Sequence, residues 1–146
     1  MNSVLTVAQV IARFDAALQS QSYVRSGYVP ELLGRDTEQL LPRAYSIAAP
    51  QTDLEDFDGR EHYGDEGEAQ TLIDVRTIFP LRVDGQTQDY SAALDHEHDV
   101  IRAILDNLDL TYISVAVERV TRSVLSDGSW ILSLARFRVY HRYRFR

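Results

Sequence analysis

Asp95-His96-Glu97-His98-Asp99 places five groups able to bind a metal or move a proton at consecutive positions. Helical geometry separates them. Residues two apart lie about 200° apart around a helix, so His96 and His98 cannot share one ion. The positions four residues either side of His98 are Leu94 and Arg102, neither a ligand. Asp95 with His98, or His96 with Asp99, could meet as pairs, but two ligands make a poor metal site. A surface helix start, whose acids suit the helix dipole, accounts for the run better.

Two further groups stand out by charge. Asp53, Glu55, Asp56 and Asp58 open an acidic, glycine-punctuated stretch, residues 51–68, in which Arg60 is the one base. Its spacing is not that of an EF-hand loop, which needs alternating ligands, a central glycine and a late glutamate. A solvated excursion, a loose cation site, and an electrostatic surface that repels DNA or meets a neighbour's arginines all remain readings of it. The last eleven residues carry Arg136, Arg138, Arg142, Arg144 and Arg146 and no acid. In an extended strand Arg136, Arg138, Arg142 and Arg144 share one face, a basic ladder about 25 Å long. Such a ladder is a solvated sheet face, an ion-paired protein interface, or a strip that contacts phosphate. All fifteen basic residues are arginine, so every cation is a planar fork suited to bidentate pairing.

The elements that must position these groups follow from periodicity. Thr6-Val7-Ala8-Gln9 has the form of a capping box. Val7, Val10, Ile11, Phe14, Ala17 and Leu18 then recur at helical spacing, so a helix is expected over 7–20. Tyr23-Val24-Arg25 is open to extended backbone, and a short helical turn is expected at 37–41. A strand follows over 43–49, closed by Pro50. Thr71 to Val83 alternates as a strand, with Pro80 arguing for an edge or a bulge and Asp84-Gly85 for a turn. A second helix is expected from about Tyr90 to Leu108, capped by Asp89, with Ile101 and Leu105 buried against the sheet. Tyr112 to Leu125 and Trp130 to Phe145 form a closing hairpin around the Ser126-Asp127-Gly128-Ser129 turn. The apolar parity of its first strand slips near Glu118-Arg119, the mark of a bulge. The expectation is one α+β domain over 1–146, ordered α-β-β-α-β-β. Its mainly antiparallel four-stranded sheet carries both helices on one face.

Composition narrows the function classes. The chain has 146 residues, 45% hydrophobic and 25% charged, enough for one ordinary core. Its net charge of -7 argues against nucleic-acid affinity through bulk charge. Cysteine is absent, which removes disulfides, thiol catalysis and cysteine zinc sites. No apolar run reaches the roughly 20 residues of a membrane span, and Met1-Asn2-Ser3-Val4-Leu5-Thr6 lacks the basic flank of a secretory signal. No phosphate loop, nucleophile elbow or HExxH motif is present. The expectation is a non-enzyme without cofactor or metal.

In layout the chain resembles the tail terminator proteins of long-tailed bacteriophages, the family of the lambda tail terminator. The likeness rests on several pieces. An amphipathic helix leads to Leu41-Pro42-Arg43 and a strand. A hydrophilic loop and the alternating Ile73-Asp74-Val75-Arg76-Thr77 come next. Asp89-Tyr90-Ser91-Ala92-Ala93-Leu94-Asp95 opens a helix, and the chain closes on arginine–aromatic alternation. The resemblance implies a virion structural protein assembled in the host cytoplasm. Such a protein forms a homo-hexameric ring on the tail tube protein, stops tube growth, and joins the head-completion or neck protein. DNA passes through the lumen without sequence-specific binding. Ring closure needs two different complementary surfaces, and Arg136, Arg138, Arg142 and Arg144 with Asp53, Glu55, Asp56 and Asp58 are the candidate interface. A head-completion or stopper protein of the same build is the alternative, and a small nucleic-acid-binding module using the arginine strand is the second.

Overall fold

The computed structural model describes residues 4–25, 43–55, 66–81, 86–124 and 130–144. The elements in order are α1 (Val7–Gln19), β1 (Val24–Arg25), β2 (Ala44–Glu55), β3 (Glu66–Pro80), α2 (Gln86–Asn107), β4 (Ser114–Val124) and β5 (Trp130–Arg144). The expected turns at 37–41, at Asp84-Gly85 and at 126–129 lie outside the described residues, as do Asp56 and Asp58.

The fold is α+β, but the sheet is not the expected four-stranded, mainly antiparallel one. It is mixed and five-stranded, in the order β1-β2-β3-β5-β4. β1 runs parallel to β2, pairing Val24 with Ala44 and Arg25 with Tyr45, while the other neighbours are antiparallel. Among the described residues the element order is therefore α-β-β-β-α-β-β. A two-residue strand has no period to read, and long-range pairing creates it: the Val24 amide donates to the Arg43 carbonyl at 2.8 Å. β2 does not stop at Pro50 either. A register shift between Ala48 and Gln51 lets the strand continue to Glu55 against β3. The irregularity spans the proline, which has no N–H to give to a ladder. Residues 51–55 and 66–68 of the expected loop are thus strand. Pro80 marks no edge; it ends β3, which lies between β2 and β5.

α1 starts as expected. The Thr6 hydroxyl accepts from the Gln9 amide at 3.1 Å, and Gln9 Oε1 accepts from the Thr6 amide at 2.8 Å. Val10, Phe14, Ala17 and Leu18 are its buried stripe. Phe14 meets Phe137 edge-on, with ring centroids 5.3 Å apart. α2 begins four residues before Tyr90, and Asp89 sits buried inside the helix rather than capping it. Its inward face is Val100, Ala103, Ile104 and Leu108. Ile101 is only partly buried and Leu105 is 43% exposed, against expectation. The helix is rolled so that the 100–104–108 line faces the core. Both helices cover the same sheet face, presented by Tyr45, Ile47, Ile73, Val75, Ala135, Phe137 and Val139.

Candidate interaction surface

The opposite face of the sheet carries the charged groups. β5 alternates without interruption, so its odd-numbered residues from Ile131 to Tyr143 are buried, while Arg136 and Arg138 are half-buried and Arg142 and Arg144 exposed. The arginine ladder therefore forms as the sequence spacing requires. Register then sets its partners: on β3, Asp74 stands opposite Arg136, Glu68 opposite Arg142 and Glu66 opposite Arg144.

Arg136 donates from Nε to Asp74 Oδ1 at 2.7 Å and from Nη2 to Oδ2 at 2.9 Å. This is the bidentate fork geometry that makes an arginine–carboxylate pair strong. Asp74 is 1% exposed, and Arg76 Nη2 lies 3.9 Å from its Oδ2. The hydrogen bond to Asp74 raises the Arg136 pKa above its ordinary value. Arg138 reaches across both neighbouring strands, donating to Gln70 Oε1 at 2.8 Å and to Glu118 Oε1 at 2.7 Å. Its pKa is likewise raised, chiefly by the bond to Glu118, with a smaller contribution from the charge of Asp53. Arg136 and Arg138 thus pair with acids on adjacent strands of the same chain.

Asp53 is exposed on the same outer face of β2, opposite Gln70, and accepts from Gln51 Nε2 at 3.1 and 3.0 Å. Glu55 ends β2 opposite Glu68. The structure brings Asp53 and Arg138 to one face.

The consecutive acids and histidines of α2 separate as the helical angle requires. His98 is exposed. His96 turns toward Phe79 and Tyr23, with ring centroids at 5.4 and 6.3 Å, and burial lowers its pKa. Among the described residues no three His, Asp or Glu side chains converge as metal ligands. Glu97 departs from the surface reading: it is buried and takes both Nε (2.8 Å) and Nη2 (2.5 Å) of Arg122 on β4. Nothing local in the sequence marks this pair, because its members are 25 residues apart.

β4 is one of the two edge strands, paired with β5 alone among the described residues. Apart from Val115 and Val120 its residues are all exposed. The expected bulge is present: Val117 opposes Phe137 and Arg119 opposes Arg136, leaving Glu118 as the extra residue. Val117 and Val124, on the helix-side face, are 40% and 55% exposed. No family model matches this chain, and no curated protein does. No described helix is long and apolar enough to cross a membrane.

Proposed function

We propose that the protein is a virion structural component, a tail terminator that caps the tail tube as a hexameric ring, stops its growth and forms the joint with the head. The observation that carries this reading is β4. An eleven-residue edge strand with exposed valines is a liability unless a partner covers it. Ring formation is one way to cover it in every copy at once. Exposed Arg119 on β4 and exposed Asp53 on β2, at opposite sides of the sheet, support the same reading, since they give each subunit unlike edges to join. A strip for nucleic acid is less well supported: Arg136 and Arg138 already spend their forks on Asp74, Gln70 and Glu118. Another neck component of the same build is the alternative. Electron microscopy of assembled tails, with native mass spectrometry of the protein beside tail tube protein, tests the proposal. A hexamer at the head-proximal end is expected; a monomer or dimer at that position overturns it.

A further inference from the structure

The β4 edge needs a counter-surface, and the sheet carries one at its other side. Among the described residues, β1 pairs with Ala44 and Tyr45 of β2. Farther along β2, Gln51, Asp53 and Leu54 are exposed. Leu54 is 48% exposed, on the helix-side face. From the geometry we infer that β4 of one copy adds antiparallel to residues 51–54 of β2 in the next copy, with Val117 against Leu54 and Arg119 against Asp53.

Three independent features agree on this register. First, direction: β2 and β3, β3 and β5, and β5 and β4 are each antiparallel, so β4 and β2 run oppositely. A copy placed beside β4 in the same orientation therefore presents β2 antiparallel to it, with its helices on the same side. Second, faces: Val117 and Val120 point to the helix side, as do Leu54 and Thr52, while Arg119 and Thr121 share the outer face with Asp53 and Gln51. Because Glu118 is the extra residue of a bulge, stepping from Val117 to Arg119 advances the partner by one position, from Leu54 to Asp53. In a regular strand with Val117 on Leu54, Glu118 would face Asp53, a pair of like charges, and Arg119 would face Thr52. Third, chemistry: the match joins two exposed apolar side chains and one exposed cation with one exposed anion. Such cross-strand pairs are the usual stabilisers of a sheet.

The register also fixes a stagger. Within one sheet Asp53 is level with Ser114, through Gln70 and Tyr140, whereas Arg119 is level with Arg136. Neighbouring copies are offset by the four ladder steps between Tyr140 and Arg136, so strands tilt against the axis of any ring they close.

This inference rests on the assembly role proposed above, and its test separates the two. The chain has no cysteine, so Leu54→Cys and Val117→Cys can be introduced singly and together. In concentrated protein under mild oxidation, a mixture of the single variants should give a disulfide-linked pair, and the double variant a ladder of linked copies. Arg119→Asp and Asp53→Arg should each abolish the linkage, and their combination should restore it. Disulfide dimers from Val117→Cys alone, with Leu54→Cys inert, would mean that β4 meets another β4 and would overturn the inference. Complete absence of inter-copy linkage would overturn it too. Linked ladders from a protein that never caps a tail would retain the edge pairing and remove the terminator role. Rings on tails without linkage would do the reverse.

Discussion

Asp74 sits directly opposite Arg136 in the β3–β5 ladder, and the two exchange a pair of hydrogen bonds at 2.7 and 2.9 Å around a carboxylate with almost no solvent contact. Loss of the guanidinium leaves that carboxylate in place without its main counter-charge. Arg136→Ala should destabilise the fold by about 3 kcal/mol, read as a lowered urea midpoint. An unchanged midpoint would mean that Arg76, 3.9 Å from the same carboxylate, suffices alone.

Arg138 pairs with a carboxylate, Glu118, that is far more open to solvent than Asp74, and Arg142 is itself exposed. The double variant Arg138→Ala, Arg142→Ala should keep its melting temperature, because exposed ion pairs contribute little to folding. Under the terminator reading it should fail in ring formation or head joining. Particles with tails of normal length and normal head attachment would reduce this part of the ladder to a solvated face.

The roll of α2 separates two neighbouring residues. Ile104→Ala should cost about 2–5 kcal/mol, since Ile104 is fully buried. Leu105→Ala should stay within about 0.5 kcal/mol. Equal losses in thermal unfolding would show that Leu105 also packs into the core.

His141 is held neutral by its setting. Its Nδ1 lies 3.2 Å from the Leu5 carbonyl, which can only accept, so Nδ1 carries the proton and Nε2 accepts from the Thr71 hydroxyl at 2.7 Å. Burial lowers the pKa of His141, as it does that of His96. The unfolded chain therefore binds more protons than the folded one just below the ordinary histidine range. Stability is fully present above about pH 6.5 and falls as pH drops through that value toward the lowered native pKa. Denaturant midpoints measured across this window should show the decline. His141→Gln should flatten it in part, leaving the share due to His96; an unaltered slope would remove His141 from the account.

Ser22 closes α1 with a φ of 67°. The Tyr23 amide returns to the Leu18 carbonyl at 3.1 Å, and the Ser22 amide to the Gln19 carbonyl at 3.1 Å. Glycine meets no Cβ penalty in this left-handed turn, so Ser22→Gly should raise stability by up to about 1 kcal/mol. A lower melting temperature would show that the serine side chain stabilises the turn in some other way.

Legibility followed the range of the interaction. The Thr6–Gln9 cap, the alternation of β5 and the bulge at Glu118 are local patterns, and all three are present. The arginine face was readable because strand geometry dictates it. Its partners were not, since Asp74 lies 62 residues from Arg136 and only register brings them together. The same reason hid the buried role of Glu97, whose surroundings in sequence read as a solvated helix start. β1 and the continuation of β2 past Pro50 exist because a neighbouring strand offers hydrogen bonds. Polar composition alone argued against a strand at 51–55.

β5 comes last among the strands yet lies between β3 and β4. During synthesis β3 and β4 therefore emerge with the slot between them empty, and neither can complete its ladder until β5 leaves the ribosome. Asp74 waits hydrated for Arg136, and the buried hydrogen bonds of His141 wait with it. Until that moment the sheet is in two parts with open edges, exposed to any other extended chain nearby. Closure is then late and dominated by contacts distant in sequence, which makes for slow folding. It also delays the chain's own competence to associate, because the edge at β4 has its final shape only once β5 is in place behind it.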